Sequence, residues 1–329
     1  MTDRSPSSSR AKSDRRTPSS FRQAILLRVI FLFLDGVGIG NVSADDNPFF
    51  RAQLPNLRSM LEGGMPHARS ARVSARDSEL VPINSTLGVP GLPQSGTGQA
   101  ALFTGVNASK QIGKHFGPHP TTTLLPLIQE KNIFRQLKSI GKSVCFANAF
   151  PKQFFEYVDS GTRRLTVTTL SCRYADVPLL RAEELRRNEA VSSDLTRARW
   201  SELGYPDVQV ITPREAGKHL WRIGLNYDFT LFEFWLTDVA GHGRDMTMAV
   251  EILERFDGFL GGLLEDFDGA SSLLIITSDH GNIEDLSTKT HTRNPVPCIA
   301  HGKKRREFLT GVKNLIHMTP SILRTLQPV

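Results

Sequence analysis

Three apolar runs in this sequence end in aspartate: VIFLFL in Asp35, LFEFWLT in Asp238 and LLIITS in Asp279. A carboxylate placed directly after a fully apolar strand is costly unless it is paired or binds a cation. Two of the three have a histidine close behind, His242 four residues after Asp238 and His280 adjacent to Asp279. A third histidine, His291, lies in THTRNPVP just before another apolar run. Three carboxylates and three imidazoles are oxygen and nitrogen donors. They suit Zn²⁺, Mn²⁺ or a mixed pair, with Mg²⁺ as a further option, rather than copper or an iron–sulfur cluster. Singly, such residues also serve caps and turns. Their joint order on successive strand ends selects a metal centre.

The segment PQSGTGQAALFTG (93–105) suggests what the cations act on. Pro and Gly force a turn, and GQAALFTG reads as a helix whose first turn follows Ser95 and Thr97. Free N–H groups at a helix start favour an anion such as phosphate. A hydroxyl there attacks phosphorus only after losing its proton, which a coordinated cation permits. The competing reading is that Ser95 and Thr97 simply cap the helix.

Groups at strand ends need a sheet to hold them. From Arg28 onward, short apolar runs alternate with helical patterns, as in a parallel sheet flanked by helices. Strands are expected over 29–35, 142–150, 228–238, 271–279 and 296–302, and helices over 131–141, 214–225 and 246–267. The helix-then-strand order means a doubly wound, mostly parallel α/β core, whose functional groups gather at the carboxyl ends of its strands. The core is expected over 25–159 and 206–329. Between 160 and 205 the pattern weakens into the Thr-rich LTVTTLS (165–171) and the Arg-rich LLRAEELRRNEA (179–190), read as a small inserted cap. Residues 1–24, rich in Ser, Arg and Pro, read as a disordered basic tail.

That tail holds a net +4 of the chain's formal +7, so the positive charge is no nucleic-acid signature. The run AILLRVIFLFL (24–34) contains Arg28, ends at Asp35 and is too short to span a bilayer, so no membrane partner is expected. Cys145, Cys172 and Cys298 lie far apart without a C-x-x-C pair, which speaks against disulfides and for a cytoplasmic protein. No oligomeric state is read from the sequence.

At this point the sequence resembles the alkaline phosphatase superfamily, especially its branch of cofactor-independent phosphoglycerate mutases and phosphopentomutases. The motifs DGVGIG (35–40), S-x-x-G-Q (95–99), D-x-x-G-H (238–242), SDHGN (278–282) and HTRNPVP (291–297) fall in that family's order, and GRDMTMAVEILERFDGFL (243–260) is similar to the phosphopentomutase helix after the metal histidine. The resemblance implies an alkaline-phosphatase-like fold and two divalent ions. One would be held by Asp35, Ser95, Asp279 and His280, the other by Asp238, His242 and His291. It implies Ser95 as a transiently phosphorylated nucleophile, because Ser95 stands before Thr104-Gly105 at the offset the nucleophilic Thr keeps in related phosphodiesterases. Thr97, Gln99, Lys114 and His115 are the candidate contacts to a small phosphorylated substrate. Lys114 and His115 sit in a loop-type sequence where solvated polar residues are common.

The mutases usually have His at the position of Gln99, and the phosphoglycerate mutases carry a much larger insert than residues 160–205. The expected activity is therefore phosphoryl transfer on a phosphate ester, as phosphatase, phosphodiesterase or phosphomutase, with the short cap pointing to hydrolysis. The alternative is a catalytically silent metal- or phosphate-binding member of the same fold. The sulfatases of the superfamily need a C/S-x-P-x-R setting that residues 95–99 lack.

Overall fold

The computed structural model describes residues 1–2, 27–161 and 164–327. The basic tail expected over 1–24 lies almost wholly outside the described residues.

Among those residues seven strands form one sheet: β1 (Arg28–Leu34), β2 (Val73–Ser74), β3 (Ser78–Ile83), β4 (Val144–Phe146), β5 (Phe229–Phe234), β6 (Ser272–Ser278) and β7 (Val296–Gly302), in the order β2-β3-β7-β6-β1-β5-β4. β4, β5, β1 and β6 run parallel. β7 is antiparallel to β6, β3 to β7, and β2 to β3. The mostly parallel sheet expected from the sequence is found, with the antiparallel pairs confined to one flank, where the 279–295 connection holds no helix and returns the chain beside its own strand.

Both sheet faces are covered, which is why the strands read as continuous apolar runs. In β1, Val29, Phe31 and Phe33 enter the cluster packed by the Ser95–Thr104 and Ile133–Ser139 helices, while Ile30, Leu32 and Leu34 enter the cluster packed by Pro213–Gly224 and Met246–Glu265. Each such side chain contributes roughly 1.5–3 kcal/mol on burial, so the centre of the sheet is a stiff platform for whatever stands at its edge.

Two elements differ from the sequence reading in ways that affect the site. The strand expected over 228–238 stops at Phe234, and Leu236–Gly243 is a helix with Asp238 in its first turn, where the helix dipole favours an acid. The expected strand 142–150 shortens to Val144–Phe146, followed by isolated bridges at Asn148 and Ala149. The 160–205 stretch divides in two. The Thr-rich piece is a helix, Val167–Tyr174, capped by Thr166, and its Val167, Leu170 and Cys172 pack into the main core. Beyond it, Ala182, Leu185, Ala190 and Trp200 form a small separate cluster with Ala149 and Val208.

Candidate metal centre

β1, β5 and β6 point the same way, so the residues that follow them meet at one edge. Because β7 is antiparallel, its amino end lies at that same edge, and the loop before it delivers His291 there. The Ser95–Thr104 helix begins at the edge with Ser95 as its first residue.

The seven residues singled out from the sequence as ligands or nucleophile come together there. His280 Nε2 is the hub, 3.0 Å from Ser95 Oγ, 3.2 Å from Asp35 Oδ1 and 3.6 Å from Asp279 Oδ2. Asp35, Asp279 and His280 place one ligand atom each within 4.8 Å of one another, as do Asp238, His280 and His291. His242 Nε2 adjoins the second group, 3.4 Å from Asp238 Oδ2 and 3.1 Å from His291 Nε2. The rings of His280 and His291 stack at 3.8 Å. His280 and Asp279 are fully buried, whereas the half-exposed His242 marks the open side.

Burial pushes the Asp35 carboxyl up and the Asp279 carboxyl well up; the Asp35 charge adds to the rise at Asp279, and the Asp238 charge adds to the rise at both. Burial also opposes a charge on His280, yet Asp279 and Asp35 together hold it up at about 10. Burial and the neighbouring His280 charge pull His291 down to about 4. Metal-free, the site is a set of carboxylates with one imidazolium standing where a cation would serve.

The donor set fits a divalent ion. Asp35 Oδ1 and Asp279 Oδ2 are buried and accept no hydrogen bond. His291 Nδ1 lies 2.7 Å from Pro93 O and His242 Nδ1 lies 3.3 Å from Lys289 O. A carbonyl only accepts, so each Nδ1 holds the proton and each Nε2 offers a lone pair toward the other. Two lone pairs facing across 3.1 Å repel unless a cation lies by them. Carbonyl anchoring of the distal nitrogen is the usual outer support of a metal-ligating histidine.

The candidate substrate contacts fare differently. Gln99 donates from Nε2 to Asp35 Oδ2 at 3.2 Å, so it orients that carboxylate. Thr97 is buried, donating to Gln94 O and accepting from Phe116 N–H. His115 is held by Ser109 Oγ and Val89 O, and Lys114 Nζ rests 5.5 Å over the Phe116 ring. Neither Ser95 nor Thr97 caps the helix, whose N-cap is Gln94 without a side-chain cap bond; the Thr97 hydroxyl instead ties the first turn to the 116 loop.

Sequence reasoning passed over several residues. Asn282 donates from Nδ2 to Asp238 Oδ1 at 2.7 Å, and Ser278 Oγ accepts from Val37 N–H at 2.8 Å. Asn282 and Ser278 stand inside the SDHGN motif. A cavity of about 750 Å³ opens beside Asp35. Its walls include Glu233, Trp235 and Arg255 from the core, and Ser192, Arg199 and Trp200 from the segment beyond the Val167–Tyr174 helix. Neither the Arg199 nor the Arg255 guanidinium has an ion-pair partner among the described residues.

A mostly parallel α/β sheet with clustered oxygen and nitrogen donors at its carboxyl edge defines a protein built like the alkaline phosphatases. The alkaline phosphatase from the Antarctic bacterium TAB5 superposes over 92% of this chain and 99% of its own with a TM-score of 0.52, and the PH0037 protein from Pyrococcus horikoshii over 92% and 98% with a TM-score of 0.55. Both are 13% identical, so the likeness concerns the fold. Residues 214–327 match the sequence profile described as Metalloenzyme superfamily. Among curated proteins, a 2,3-bisphosphoglycerate-independent phosphoglycerate mutase from Acaryochloris marina is 34% identical over 115 residues, 31% of this chain and 22% of that protein. A homologous mutase from Methanosarcina acetivorans is 33% identical over 107 residues, 30% and 20%. The matched stretches thus span about a fifth of these relatives. The chain thus has an alkaline-phosphatase-like fold, and its residues 214–327 carry a metalloenzyme-superfamily segment. Among the described residues no helix is long and apolar enough to cross a membrane.

Proposed function

We propose that this protein is a metal-dependent phosphoryl-transfer enzyme acting on a small phosphate ester through a phosphoserine at Ser95, with hydrolysis as the outcome. The reading rests on one observation above the others: Ser95 Oγ lies 3.0 Å from the imidazole shared by two groups of acidic and histidine donors. Asp35, Asp279, His280 and Ser95 would hold one divalent ion, and Asp238, His242 and His291 a second, with Mn²⁺ or Zn²⁺ the ions that suit these donors. Bound there, the ions would lower the pKa of the Ser95 hydroxyl and neutralise charge on the attacking and leaving oxygens.

The chain's own residues do the rest. Gln99 fixes the Asp35 carboxylate, Pro93 O and Lys289 O fix two imidazoles, and the helix start holds Ser95 facing the donors. Ser95 Oγ forms a bond to phosphorus as the ester oxygen leaves and takes up a proton. Water then cleaves the serine–phosphorus bond. The cavity beside Asp35 takes the organic part of the ester, with the unpaired Arg199 and Arg255 available to an anionic substituent. The curated relatives are mutases, which must keep water from the phosphoenzyme. The short insertion here favours hydrolysis. Three buried unpaired cysteines suit a reducing compartment, taken as the cytoplasm.

The test is intact-mass analysis of Mn²⁺-loaded protein quenched during incubation with sugar phosphates and nucleotides. A one-phosphoryl mass gain mapped to Ser95 is expected, and Ser95→Ala should abolish it, lowering turnover by roughly 10³-fold or more while leaving the carboxylate and histidine donors in place. Mn²⁺ binding with no phosphoserine and no phosphate release would instead identify a silent member of the fold.

A further inference from the structure

Glu284 lies two residues beyond the SDHGN motif and touches none of the substrate-facing groups, yet it is almost completely buried. An ionised carboxylate in that position is tolerated only when fully hydrogen-bonded. It is. Oε2 accepts from Gly38 N–H at 2.8 Å and from Asn282 N–H at 2.7 Å, and Oε1 accepts from Asn294 Nδ2 at 3.0 Å and from the Thr292 hydroxyl. Four donors meet the four lone-pair sites of one carboxylate.

Those four donors belong to two loops, the one after β1 and both ends of the β6–β7 connection. Gly38 is three residues after Asp35, Asn282 is two after His280, and Thr292 and Asn294 are one and three after His291. The loops are also laced by backbone bonds, Ile283 N–H to Gly36 O and Thr292 N–H to Gly281 O, both 3.0 Å. Space for the carboxylate is reserved: a Cβ on Gly38 or on Gly281 would overlap its oxygens. The side chain thus joins segments 246 residues apart in the chain at a single point behind both donor groups.

We propose that Glu284 is a positioning residue for the metal centre. By clasping the Asp35 loop to both the Asp279-His280 start and the His291 end of the β6–β7 loop, it sets the spacing on which cation affinity at both donor groups depends. Its own carboxylate binds no ion, because all its acceptor sites are taken by protein donors. The inference rests on the metal-centre reading given above.

Chelator-stripped wild type, Glu284→Gln and Glu284→Ala would be titrated with Mn²⁺ by calorimetry and by electron paramagnetic resonance, well below the melting temperature of each. Loss of outer support typically costs about 10–100-fold in metal affinity. The expected result is a Kd raised about tenfold or more in Glu284→Ala, a smaller rise in Glu284→Gln, and broadened Mn²⁺ resonances in both. Gln can still accept from the two backbone amides while Thr292 and Asn294 reorient. Asn294→Ala, which removes one of the four donors from a half-buried position, is read in the same way and decides the matter if the Glu284 variants do not fold. Ile322→Ala, in the core on the other side of the sheet, controls for general loss of stability and should leave Kd unchanged. Wild-type Kd, stoichiometry and spectra in the folded Glu284 variants, or in Asn294→Ala if they do not fold, would overturn the proposal. Absence of Mn²⁺ binding by the wild type would take down the metal centre itself and this inference with it.

Discussion

Replacing Asp279 with Asn should have opposite effects on the metal-free and metal-loaded protein, and the size of each follows from the geometry. The ligand oxygens of Asp35 and Asp279 lie within 4.8 Å, where two unit charges repel by roughly 3 kcal/mol at an effective dielectric near 20. His280 Nε2, 3.6 Å from Asp279 Oδ2, returns roughly 4–5 kcal/mol of attraction on the same scale. These contributions nearly cancel, particularly as Asp238 adds further repulsion. What decides is the desolvation of a fully buried carboxylate, which pushes Asp279 well up and costs several kcal/mol per ion.

A neutral amide of the same shape avoids that cost. Metal-free Asp279→Asn should therefore be more stable than wild type by roughly 1–3 kcal/mol, raising its melting temperature by roughly 2–4 °C per kcal/mol. With Mn²⁺ present the order reverses. Wild type gains RT ln(1 + [M]/Kd), about 2.7 kcal/mol at 100 times Kd, while the variant lacks one ligand and gains little. Scanning calorimetry in chelator and in Mn²⁺ would show the two proteins exchanging rank. A variant that melts lower than wild type by the same amount in both buffers would refute the reasoning, because Asp279 would then be a structural carboxylate and not a ligand.

Two further outcomes are expected. Burial, opposed by the 2.7 Å hydrogen bond from Thr168 and reinforced by the Asp35 charge, pushes Glu233 up to about 8 from 4.5. The folded chain then keeps this proton where the unfolded chain has lost it, so metal-free stability should fall between pH 4.5 and 8, by at most about 1.4 kcal/mol per pH unit; denaturant unfolding should show a flatter profile for Glu233→Gln, and equal slopes would exclude the assignment. For the cleft, Arg255→Ala or Arg199→Ala should raise KM about tenfold for an ester with a second anionic group and leave kcat within about twofold; steady-state kinetics showing an unchanged KM would place the substrate elsewhere.

The parts of the site that were legible in the sequence are those where chemistry breaks a local pattern. An Asp after VIFLFL or LLIITS is conspicuous because nothing apolar explains it, and both strands end where the pattern says. DFTLFEFWLTD failed at its end because a continuous apolar run has the same appearance in a buried strand as in a buried helical turn. Only the structure shows the change at Trp235 that puts Asp238 and His242 four residues apart on one helix. The direction of β7 was equally hidden, since an antiparallel neighbour and a parallel one bury the same residues. Glu284 and Glu233 left no signal: a single acid in a loop or an apolar run acquires meaning from partners as distant as Gly38 and Thr168.

The reversal at β7 explains how one sheet edge gathers so many donors. Parallel strands deliver groups only from their carboxyl ends, which here yields Asp35, the Asp238 helix and the Asp279-His280 pair. Had β7 run parallel to them as well, His291 would have been carried to the opposite edge. Turning the chain back antiparallel after β6 brings the residues before β7 to the same edge, and the 279–295 return loop also holds Glu284 within reach of both Asn294, near His291, and the β1 loop. The acids cannot spread apart to relieve their repulsion, because each stands at the end of a strand or helix packed into the apolar core and each loop between them is tied to its neighbour. Repulsion that cannot relax is relieved by a cation, and the stiffness that stores it fixes where that cation and the Ser95 hydroxyl meet.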